Sequence, residues 1–452
     1  MAEPDGPDAS ADPPRHDVRQ ARRAGVTAFV GTTIEWFDFY IYGTASALVL
    51  GRLFFPDVSP AIGTLAAFAT FAVGFIARPL GGVIFGHFGD KFGRKNAVIV
   101  TLALMGAGTV GVGLLPTYET IGIWAPILLV LLRVLQGVAM GGEWGGAVLI
   151  ATEFAPENKK VLYGAFAQQG SPVGNLLATL AFLGLSVLSD SVFDTWGWRL
   201  PFLGSALLVA VALYIRLKIS ETPEMREAAA AQERNRIPIV EVLRDHAGTV
   251  LLGVGAVVAG VAITYIKTTF ALAWATADLG FGRSEFLLVV TISLVVQVVV
   301  QPFGAVLAGR MDQRRAVAVM LLPELVLLPM MFLLVQTGSL TLAIIGMALA
   351  TAPHSMYYSA LAGILAQRFP TQVRYTGISL AYQVSTAVFA GTAPMVSQFL
   401  LTRTDSIWPV VGLGLGYVLI SLICMRALLR PKGDAAASRA EPEPAAASAS
   451  LA

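Results

Sequence analysis

The chain is poor in charge, in cysteine and in histidine, and each shortage excludes a class of protein. Aspartate, glutamate, lysine and arginine make up 13% of its 452 residues, whereas a soluble domain carries about a quarter. The single cysteine, Cys424, excludes a disulfide framework, a cysteine-rich metal site and an iron–sulfur cluster. The four histidines lie far apart in the sequence and show no metal-ligand spacing. We therefore expect a membrane protein without a metal centre.

Long apolar runs fill most of the remaining sequence, since 56% of the residues are hydrophobic. In lipid, every backbone polar group must be satisfied within its own segment, and no run alternates like a barrel strand, so the runs are predicted to be helices. About 20 apolar residues are enough to cross a bilayer. The sequence predicts twelve spans, at about 24–50, 61–86, 96–115, 121–152, 161–188, 198–218, 247–277, 285–309, 316–336, 340–367, 375–401 and 406–429.

Basic residues are distributed unevenly between the two faces of this helical array. The loops after the odd-numbered spans hold only Arg52, Arg199, Arg283 and Arg403 of the 31 lysines and arginines. Most of the others lie near the chain ends and in the even-numbered loops, so the positive-inside rule places both termini in the cytoplasm. Residues 1–20 are acidic and proline-rich, and residues 431–452 are rich in alanine, proline, serine and glutamate. We expect disordered cytoplasmic tails there and no cleavable signal peptide.

The twelve spans divide into two halves of six. The longest internal polar segment, 220–246, separates a bundle of residues 21–219 from a bundle of residues 247–430. Short loops repeat across that linker: Gly-His-Phe-Gly-Asp90-Lys after span two resembles Ala-Gly-Arg-Met-Asp312-Gln after span eight. Such repeats are typical of secondary transporters. We predict an all-α membrane fold of two six-helix pseudo-repeats, with chance similarity of short loops as the alternative.

The loop after span two carries the most specific motif of the chain, Gly86-x-x-x-Asp90-Lys-x-Gly93-Arg94-Lys95. Its glycines permit a tight turn, Asp90 can cap a helix or pair with an arginine, and the two basic residues can hold a carboxylate or a helix C-terminus. Together with Asp312, these five residues are candidates for a cytoplasmic gate. The motif is similar to the loop-two/three signature of the major facilitator superfamily, and Leu-Arg133-x-x-Gln-Gly resembles a second signature of that superfamily.

Three further segments narrow the resemblance: Glu35-Trp-Phe-Asp38-Phe-Tyr-Ile-Tyr42-Gly, Arg78-Pro-x-Gly-Gly and Gly-Gly-Glu143-Trp-Gly-Gly-Ala. Together they resemble the metabolite:proton symporter family, whose members take up shikimate, 2-oxoglutarate, citrate, or proline and betaine. This resemblance implies a twelve-helix major facilitator fold and alternating access. It also implies proton-coupled uptake across the plasma (inner) membrane of a bacterial cell.

Few ionisable residues lie inside the predicted spans. Each is expected to face a cavity or a partner, because a charge costs about 2.5 to 3.5 kcal/mol at the centre of a span. Glu35 and Asp38 are three residues apart, on one stripe of span one, where two carboxyl groups can share a proton. Asp38, Glu35 and Glu143 are the candidates for proton coupling, with Asp38 preferred. Fixed ion pairs that do not titrate during transport are the alternative.

The bases inside the spans, Arg78, Arg133 and Lys267, are candidates for binding an organic anion. A guanidinium can hold a carboxylate through two parallel hydrogen bonds. Arg78 precedes Pro79, where the helix can bend, and it either contacts the substrate or neutralises Asp38. Polar residues at corresponding places in the two halves either bind substrate hydroxyl groups or only join helices. The remaining candidates for substrate binding are Tyr42, Gln169, Asn175, Tyr382 and Gln383.

These features predict a proton-driven symporter for a small organic metabolite, preferably a carboxylate, rather than an enzyme. The chain lacks a Gly-x4-Gly-Lys-Ser/Thr nucleotide motif, so we expect no cofactor and the proton gradient as the energy source. A proline or betaine osmolyte carrier and a proton-driven drug exporter are the alternatives. Lys267, Glu324 and His354 depart from the family pattern, so the resemblance does not identify the substrate. We expect H⁺, the substrate and the lipid bilayer as partners, no nucleic acid, and a functional monomer.

Overall fold

The computed structural model describes residues 18–92, 94–141, 160–218, 238–370 and 373–430, and within these ranges the chain is helical, without a strand. Twelve long helices follow one another, and several of them consist of consecutive pieces. They are α1 (Val18–Ala45, Ser46–Leu50, Gly51–Phe54), α2 (Pro60–Ile76, Arg78–Phe92), α3 (Arg94–Leu114), α4 (Trp124–Met140), α5 (Lys160–Leu185), α6 (Leu200–Lys218), α7 (Ala247–Tyr265, Ile266–Phe270, Ala271–Ala277), α8 (Arg283–Arg310), α9 (Gln313–Leu321, Glu324–Gln336), α10 (Leu340–Ala366), α11 (Arg374–Ser385, Thr386–Ala390, Ala393–Thr404) and α12 (Trp408–Leu428).

Most of these helices are long and apolar enough to cross a membrane. Among the described residues, eight helical segments meet both conditions, and two shorter apolar segments belong to α3 and α4. The helices α1 and α5 are long enough, with first pieces of 28 and 26 residues, but they are more polar. Several of their polar side chains, among them Asp38 and Asn175, are buried, and the two helices pack on each other. Both therefore turn a polar face to the interior of the bundle.

The helices pack as two groups of six, and α1 and α7 are among the helices that meet across the two groups. Within the first group, α1 packs on α5 and α3 packs on α4 and α6. Within the second group, α7 packs on α12, and α10 packs on α8 and α9. The two groups meet where α5 lies against α8 and α10, and where α2 lies against α11. This arrangement places the polar face of α5 directly at the junction between the two halves.

Local irregularities interrupt several helices close to this junction. Between the two pieces of α2 lies Ala77, next to Arg78 and Pro79, and Pro79 lacks the N–H that would continue the helical hydrogen bonds. Wider, π-helical turns occupy Ser46–Leu50 in α1, Ile266–Phe270 in α7 and Thr386–Ala390 in α11, and the first two touch each other. Such turns are frequent at functional sites of helical proteins.

The end of the bundle that carries the loops after the odd-numbered helices, here called the odd-loop end, is closed by ion pairs. Arg283, at the start of α8, contacts Asp190 at 3.3 Å. The same guanidinium donates to the carbonyls of Ser186 and Leu188 at the end of α5. Arg52 contacts Asp194 at 2.6 Å. The Arg283 contacts join the first half of the chain to the second.

A short helix, Pro238–Asp245, lies in the segment 220–246, where the sequence predicts only a polar linker. The helix packs on α7 and α11, and its residue Val242 is completely buried, so tertiary contact accounts for its formation. Both predicted tails are almost wholly outside the described residues, as are the rest of the linker and Glu143.

Candidate functional site

Arg78 is buried against aromatic side chains at the start of the second piece of α2. It is 2% exposed, and its guanidinium carbon lies 4.2 Å from the ring centroids of both Phe39 and Phe75. One guanidinium nitrogen approaches the Met140 sulfur at 3.1 Å. Its Nε has no hydrogen-bond partner among the described residues. A buried cation in this state is attracted mainly by the π-faces of the rings.

Five aromatic side chains form a closed ring around this position, which we call the aromatic box. Successive ring centroids lie 5.1 to 6.5 Å apart, within the range of favourable aromatic contacts. Its members are Trp36, Phe39, Tyr40, Phe75 and Tyr265. Because Tyr265 belongs to α7 and the others belong to α1 and α2, the box joins the two halves of the molecule.

Arg133 lies in α4 and is completely buried. Its guanidinium carbon is 3.9 Å from the ring centroid of Tyr42, and Nη1 donates to Gln136 Oε1 at 2.9 Å. Gly74 makes room for it, since a Cβ at Gly74 would collide with the guanidinium. The hydroxyl of Tyr42 is itself 2.6 Å from the hydroxyl of Thr70. Arg133 is therefore held in place by an aromatic face and an amide rather than by an acid of the described part of the chain.

A chain of hydrogen bonds connects Arg133 to Asp38 through two neutral side chains. Gln136 accepts from Arg133 and donates through Nε2 to the Thr109 hydroxyl at 2.8 Å. Thr109 in turn is 3.0 Å from Asp38 Oδ2. The other carboxyl oxygen, Oδ1, has no partner among the described residues, and Asp38 is 2% exposed. We call Arg133, Gln136, Thr109 and Asp38 the polar chain.

Tyrosine and glutamine side chains line the junction next to the box. The hydroxyls of Tyr358 and Tyr382 lie 3.0 Å apart. Gln169 donates to the carbonyl of Val298 in α8 at 2.7 Å, and Gln383 donates to the carbonyl of Gly141 at 3.3 Å. These two glutamines join the halves of the molecule in this conformation.

Asn175 and Gln383 each retain an unused polar atom at the junction. The Asn175 carbonyl oxygen lies 3.4 Å from Thr179 Oγ1, which donates to it, while its Nδ2 has no partner among the described residues. Gln383 Oε1 is likewise without a partner there. Buried polar atoms without partners are rare in folded proteins, so both positions could engage a bound molecule.

A second cluster of buried ionisable groups lies in the C-terminal half, on α7, α9 and α10. Lys267 donates to the Thr351 hydroxyl at 3.1 Å and to the Ala350 carbonyl at 3.4 Å. Glu324 Oε1 accepts from the backbone N–H of His354 at 3.1 Å. Although each is at most 2% exposed, no ion pair within 4.0 Å joins Lys267 to Glu324. The ammonium of Lys267 thus bonds to α10 rather than to a residue of the aromatic box.

The structure places the remaining predicted residues as follows. Glu35 is 6% exposed and lies one turn before Asp38, and its charge acts on Arg78. Glu143 and Gly93 lie outside the described residues, and so do the side chains at positions 86, 90, 94 and 95 of the predicted gate. Asp312 is exposed and accepts a hydrogen bond from the backbone N–H of Arg315, which caps the start of α9.

Several residues of this site are missing from the sequence-based candidates, among them Thr109, Tyr40, Tyr265 and Tyr358. Thr109 is a neutral residue in an apolar helix, and aromatic residues are common in membrane helices. Neither residue type therefore indicates a functional site in the sequence. Tyr40 offers one signal, because it lies between Asp38 and Tyr42 in the motif of α1. No group of three or more potential metal ligands occurs among the described residues.

Comparisons with known proteins agree with this geometry. The family model "Sugar (and other) transporter" matches residues 24–429. The shikimate transporter of Escherichia coli (strain K12) is 41% identical over 400 residues, which cover 88% of this chain and 91% of that protein. A proline/betaine transporter of the same organism is 31% identical over 401 residues, covering 86% and 80%.

The fold is shared with solved transporter structures. A D-xylose–proton symporter superposes with a TM-score of 0.68 at 17% identity, covering 89% of this chain and 96% of that one.

A further sequence relative supports the family assignment. An inner membrane metabolite transport protein of Escherichia coli (strain K12) is 39% identical over 394 residues, which cover 85% of this chain and 89% of that protein. The predicted twelve-helix major facilitator fold and the prediction of a transporter rather than an enzyme are both confirmed. The chain belongs to the sugar (and other) transporter family and, within the major facilitator superfamily, to the metabolite:proton symporters.

Proposed function

We propose that the chain is a proton-coupled symporter that takes up a small organic carboxylate by alternating access. The strongest support for an anionic substrate comes from two buried arginines. Arg78 and Arg133 are both buried, and neither has a carboxylate within ion-pair distance among the described residues. Removing a charge from water without pairing it is costly. A substrate carboxylate is a partner that would compensate the charge of either guanidinium.

The aromatic box supports a substrate with a compact carbon skeleton. Its rings offer apolar walls beside Arg78, while Asn175 Nδ2 and Gln383 Oε1 offer a donor and an acceptor for hydroxyl groups. A hydroxylated cyclic carboxylate uses all three kinds of contact. The 41% identity to a shikimate transporter is consistent with this choice.

Asp38 is the proposed proton site. Its buried Oδ1 has no partner among the described residues, and its Oδ2 is linked to Arg133 through the polar chain. When a substrate carboxylate engages a guanidinium, the positive charge near Asp38 is compensated, and the carboxyl group can take up a proton. Glu35 and Glu143 remain proposed as further proton-coupling residues. We also propose that the chain works as a monomer.

For orientation, we propose that the loops after the even-numbered helices face the cytoplasm of the cell. The distribution of basic residues supports this. The ion pairs at the odd-loop end then close the outer side in this conformation. Positions 86, 90, 93, 94 and 95, with Asp312, would form the cytoplasmic gate.

Uptake of an osmolyte such as betaine is the second candidate, because aromatic rings also bind quaternary ammonium groups. Two curated relatives at 31 and 32% identity are proline/betaine-type transporters. Arg78 argues against it, since its guanidinium already lies over Phe39 and Phe75. A cationic group would have to displace that charge.

Proton uptake into proteoliposomes tests both candidates at once. Vesicles containing the full chain and a trapped pH dye are exposed to one compound at a time. Shikimate and aliphatic di- and tricarboxylates test the anion candidate, proline and betaine test the osmolyte candidate, and xylose is the neutral control. We expect internal acidification with at least one carboxylate and none with xylose. Acidification by proline or betaine alone would contradict the anion preference, whereas substrate exchange without acidification would contradict proton coupling.

Two variants assign the residues in the same assay. Asp38→Asn should abolish proton-driven accumulation and leave substrate exchange, and Arg78→Gln should lower kcat/KM for the carboxylate by about 100-fold. Arg403→Gln, at an exposed arginine of the odd-loop end, is the matched control and should behave like the unmodified chain. Normal accumulation by Asp38→Asn would remove this carboxyl group from the coupling step.

A further inference from the structure

A basic cavity lies at the end of the bundle that carries the loops after the even-numbered helices, here called the even-loop end. It is away from the junction between the halves. Its volume is about 370 Å³, and four of its five lining residues are arginines. The lining residues are Arg314, Arg315, Ala318, Arg426 and Arg430. They come from the start of α9 and the end of α12, two helices that pack on each other. None of the proposed transport residues belongs to this cavity.

The positive charge of the cavity is not compensated by the described residues that line it. No acid is among them, and the neighbouring Asp312 already caps α9. Arg314 donates through Nε to the carbonyl of Leu429 at 2.7 Å, while its Nη2 is buried without a partner among the described residues. Burial and the charge of Arg314 also lower the pKa of nearby Arg368 from its usual value. The region therefore has an excess of cations.

Apolar stripes lead from the bilayer into this cavity along both helices. On α12, Leu419 and Ile423 are 44% and 65% exposed, and Arg426 and Arg430 continue the same helical face. On α9, Val319 and Val326 are 54% and 68% exposed, and Arg315 lies one turn before Val319 on that face. Both stripes thus pass from lipid-facing apolar side chains to guanidinium groups within about one turn.

We propose that this cavity binds the phosphodiester headgroup of an anionic phospholipid, with the acyl chains along the exposed stripes of α9 and α12. Guanidinium groups bind phosphate oxygens through paired hydrogen bonds. Basic pockets between membrane helices on the cytoplasmic side are suited to cardiolipin-like headgroups. A free inorganic phosphate would satisfy the guanidiniums equally, but it has no acyl chains and would make no contact with the two apolar stripes.

Native mass spectrometry of the full chain in detergent tests this site without reference to the transported substrate. The protein is titrated separately with cardiolipin, phosphatidylglycerol and phosphatidylcholine. We expect retention of the two anionic lipids and little retention of phosphatidylcholine. The double variant Arg426→Gln/Arg430→Gln should weaken anionic lipid binding by about 30-fold. Arg403→Gln, an exposed arginine at the opposite end, should bind these lipids as the unmodified chain does.

A phosphate competition arm distinguishes the two sources of the anion. Inorganic phosphate at millimolar concentration should displace little bound lipid, because it lacks the acyl contacts. Equal retention of all three lipids, unchanged binding by the double variant, or complete displacement by phosphate would each overturn the proposal. Arg426 and Arg430 are exposed, so the variant should fold, which the unchanged elution volume of the detergent-solubilised protein verifies.

Discussion

At the scale of single residues, Thr109 is the point where the polar chain can change its connections. Its hydroxyl accepts from Gln136, and its one proton has two possible acceptors, Asp38 Oδ2 and the Met105 carbonyl, both at 3.0 Å. A hydroxyl can donate to only one acceptor fully at a time. A change in the charge of Asp38 is therefore transmitted to Thr109, and through Gln136 to Arg133.

We predict that Thr109→Val impairs coupling while Thr109→Ser retains it. Valine has nearly the shape of threonine but can neither donate to Asp38 nor accept from Gln136. Leaving these buried groups unsatisfied costs about 1 to 3 kcal/mol each. The measurement is the pH dependence of substrate accumulation and of exchange in proteoliposomes. If Thr109→Val kept the pH profile of the unmodified chain, Thr109 would have only a packing role.

The sequence identifies the charged members of the site more readily than the neutral ones. Asp38, Arg78 and Arg133 stand out because a charge in an apolar helix needs an explanation. Thr109 and Tyr265 do not stand out, since hydroxyl and aromatic residues occur throughout membrane helices without a special role. Their importance depends on which helices lie next to one another. That information comes from packing and cannot be obtained from the spacing within one helix.

At the scale of elements, α10 is held at its proline by two buried charges. Pro353 lies within α10, and the adjacent N–H of His354 donates to Glu324, while the Ala350 carbonyl accepts from Lys267. His354 N–H and Ala350 C=O are the two members of one regular helical hydrogen bond. Glu324 and Lys267 thus stabilise both sides of a weakened helical turn, one from α9 and the other from α7.

We predict strong coupling between Glu324→Gln and Lys267→Met. Each single change removes one buried charge and leaves the opposite one in the interior. Because the two groups are beyond ion-pair distance, the cost should be less than the about 3 to 5 kcal/mol typical of a contacting buried pair. The double change leaves no uncompensated charge, so its thermal stability in detergent should exceed that of either single variant. The measurement is the temperature at which half of the protein is lost from the monodisperse peak. Additive losses in the double variant would show that the two charges act independently.

We also predict opposite effects for two alanine substitutions in α8. A Cβ at Gly304 would collide with the backbone carbonyl of Met356 in α10, whereas a Cβ at Gly309 meets no atom within 4 Å. Gly304→Ala should separate α8 from α10 and lower thermal stability by about 1 to 3 kcal/mol or more. Gly309→Ala should be neutral or add up to about 1 kcal/mol, since alanine favours helix. Equal stability of the two variants would contradict this close helix approach.

The positions of the helices are largely predictable from the sequence, but their interruptions are not. Where the helix ends are described, apolar runs predict the twelve helices to within about six residues, because the bilayer requires a minimum length of apolar chain. The predicted end of span four, residue 152, lies outside the described residues. The break at Ala77 is predicted by the nearby Pro79. By contrast, the turn Ile266–Phe270 contains no proline or glycine that would indicate it in the sequence. Short apolar faces such as that of Pro238–Asp245 are likewise too brief to predict a helix.

At the scale of the whole molecule, closure of the odd-loop end depends strongly on Arg283. Its guanidinium binds Asp190 and two carbonyls at the end of α5, so one side chain joins the two halves at this end. Its ring contact with Phe193, at 3.8 Å to the centroid, adds to that attachment. Loss of Arg283 should therefore favour conformations in which this end is open.

We predict that Arg283→Gln increases the distance between the halves at the odd-loop end. Spin labels at Thr195→Cys and Thr402→Cys, two exposed positions in different halves, report that distance by electron–electron double resonance. The background carries Cys424→Ser, because Cys424 is the only native cysteine. Arg403→Gln is the control. An unchanged distance distribution in Arg283→Gln would show that other contacts keep this end closed.

Two of the three π-helical turns in the described residues lie at corresponding places in the two halves. The turns at Ser46–Leu50 and Ile266–Phe270 begin at residues 46 and 266, 220 residues apart, close to the separation of 222 between the related loop residues Asp90 and Asp312. A π-helical turn accommodates one extra residue in a helix. Its presence at corresponding places in α1 and α7 is consistent with one insertion in an ancestral six-helix unit, whereas the turn Thr386–Ala390 in α11 has no such counterpart in α5. The widened turn would then be older than the duplication that created the two halves, and the two copies still touch in the protein of today.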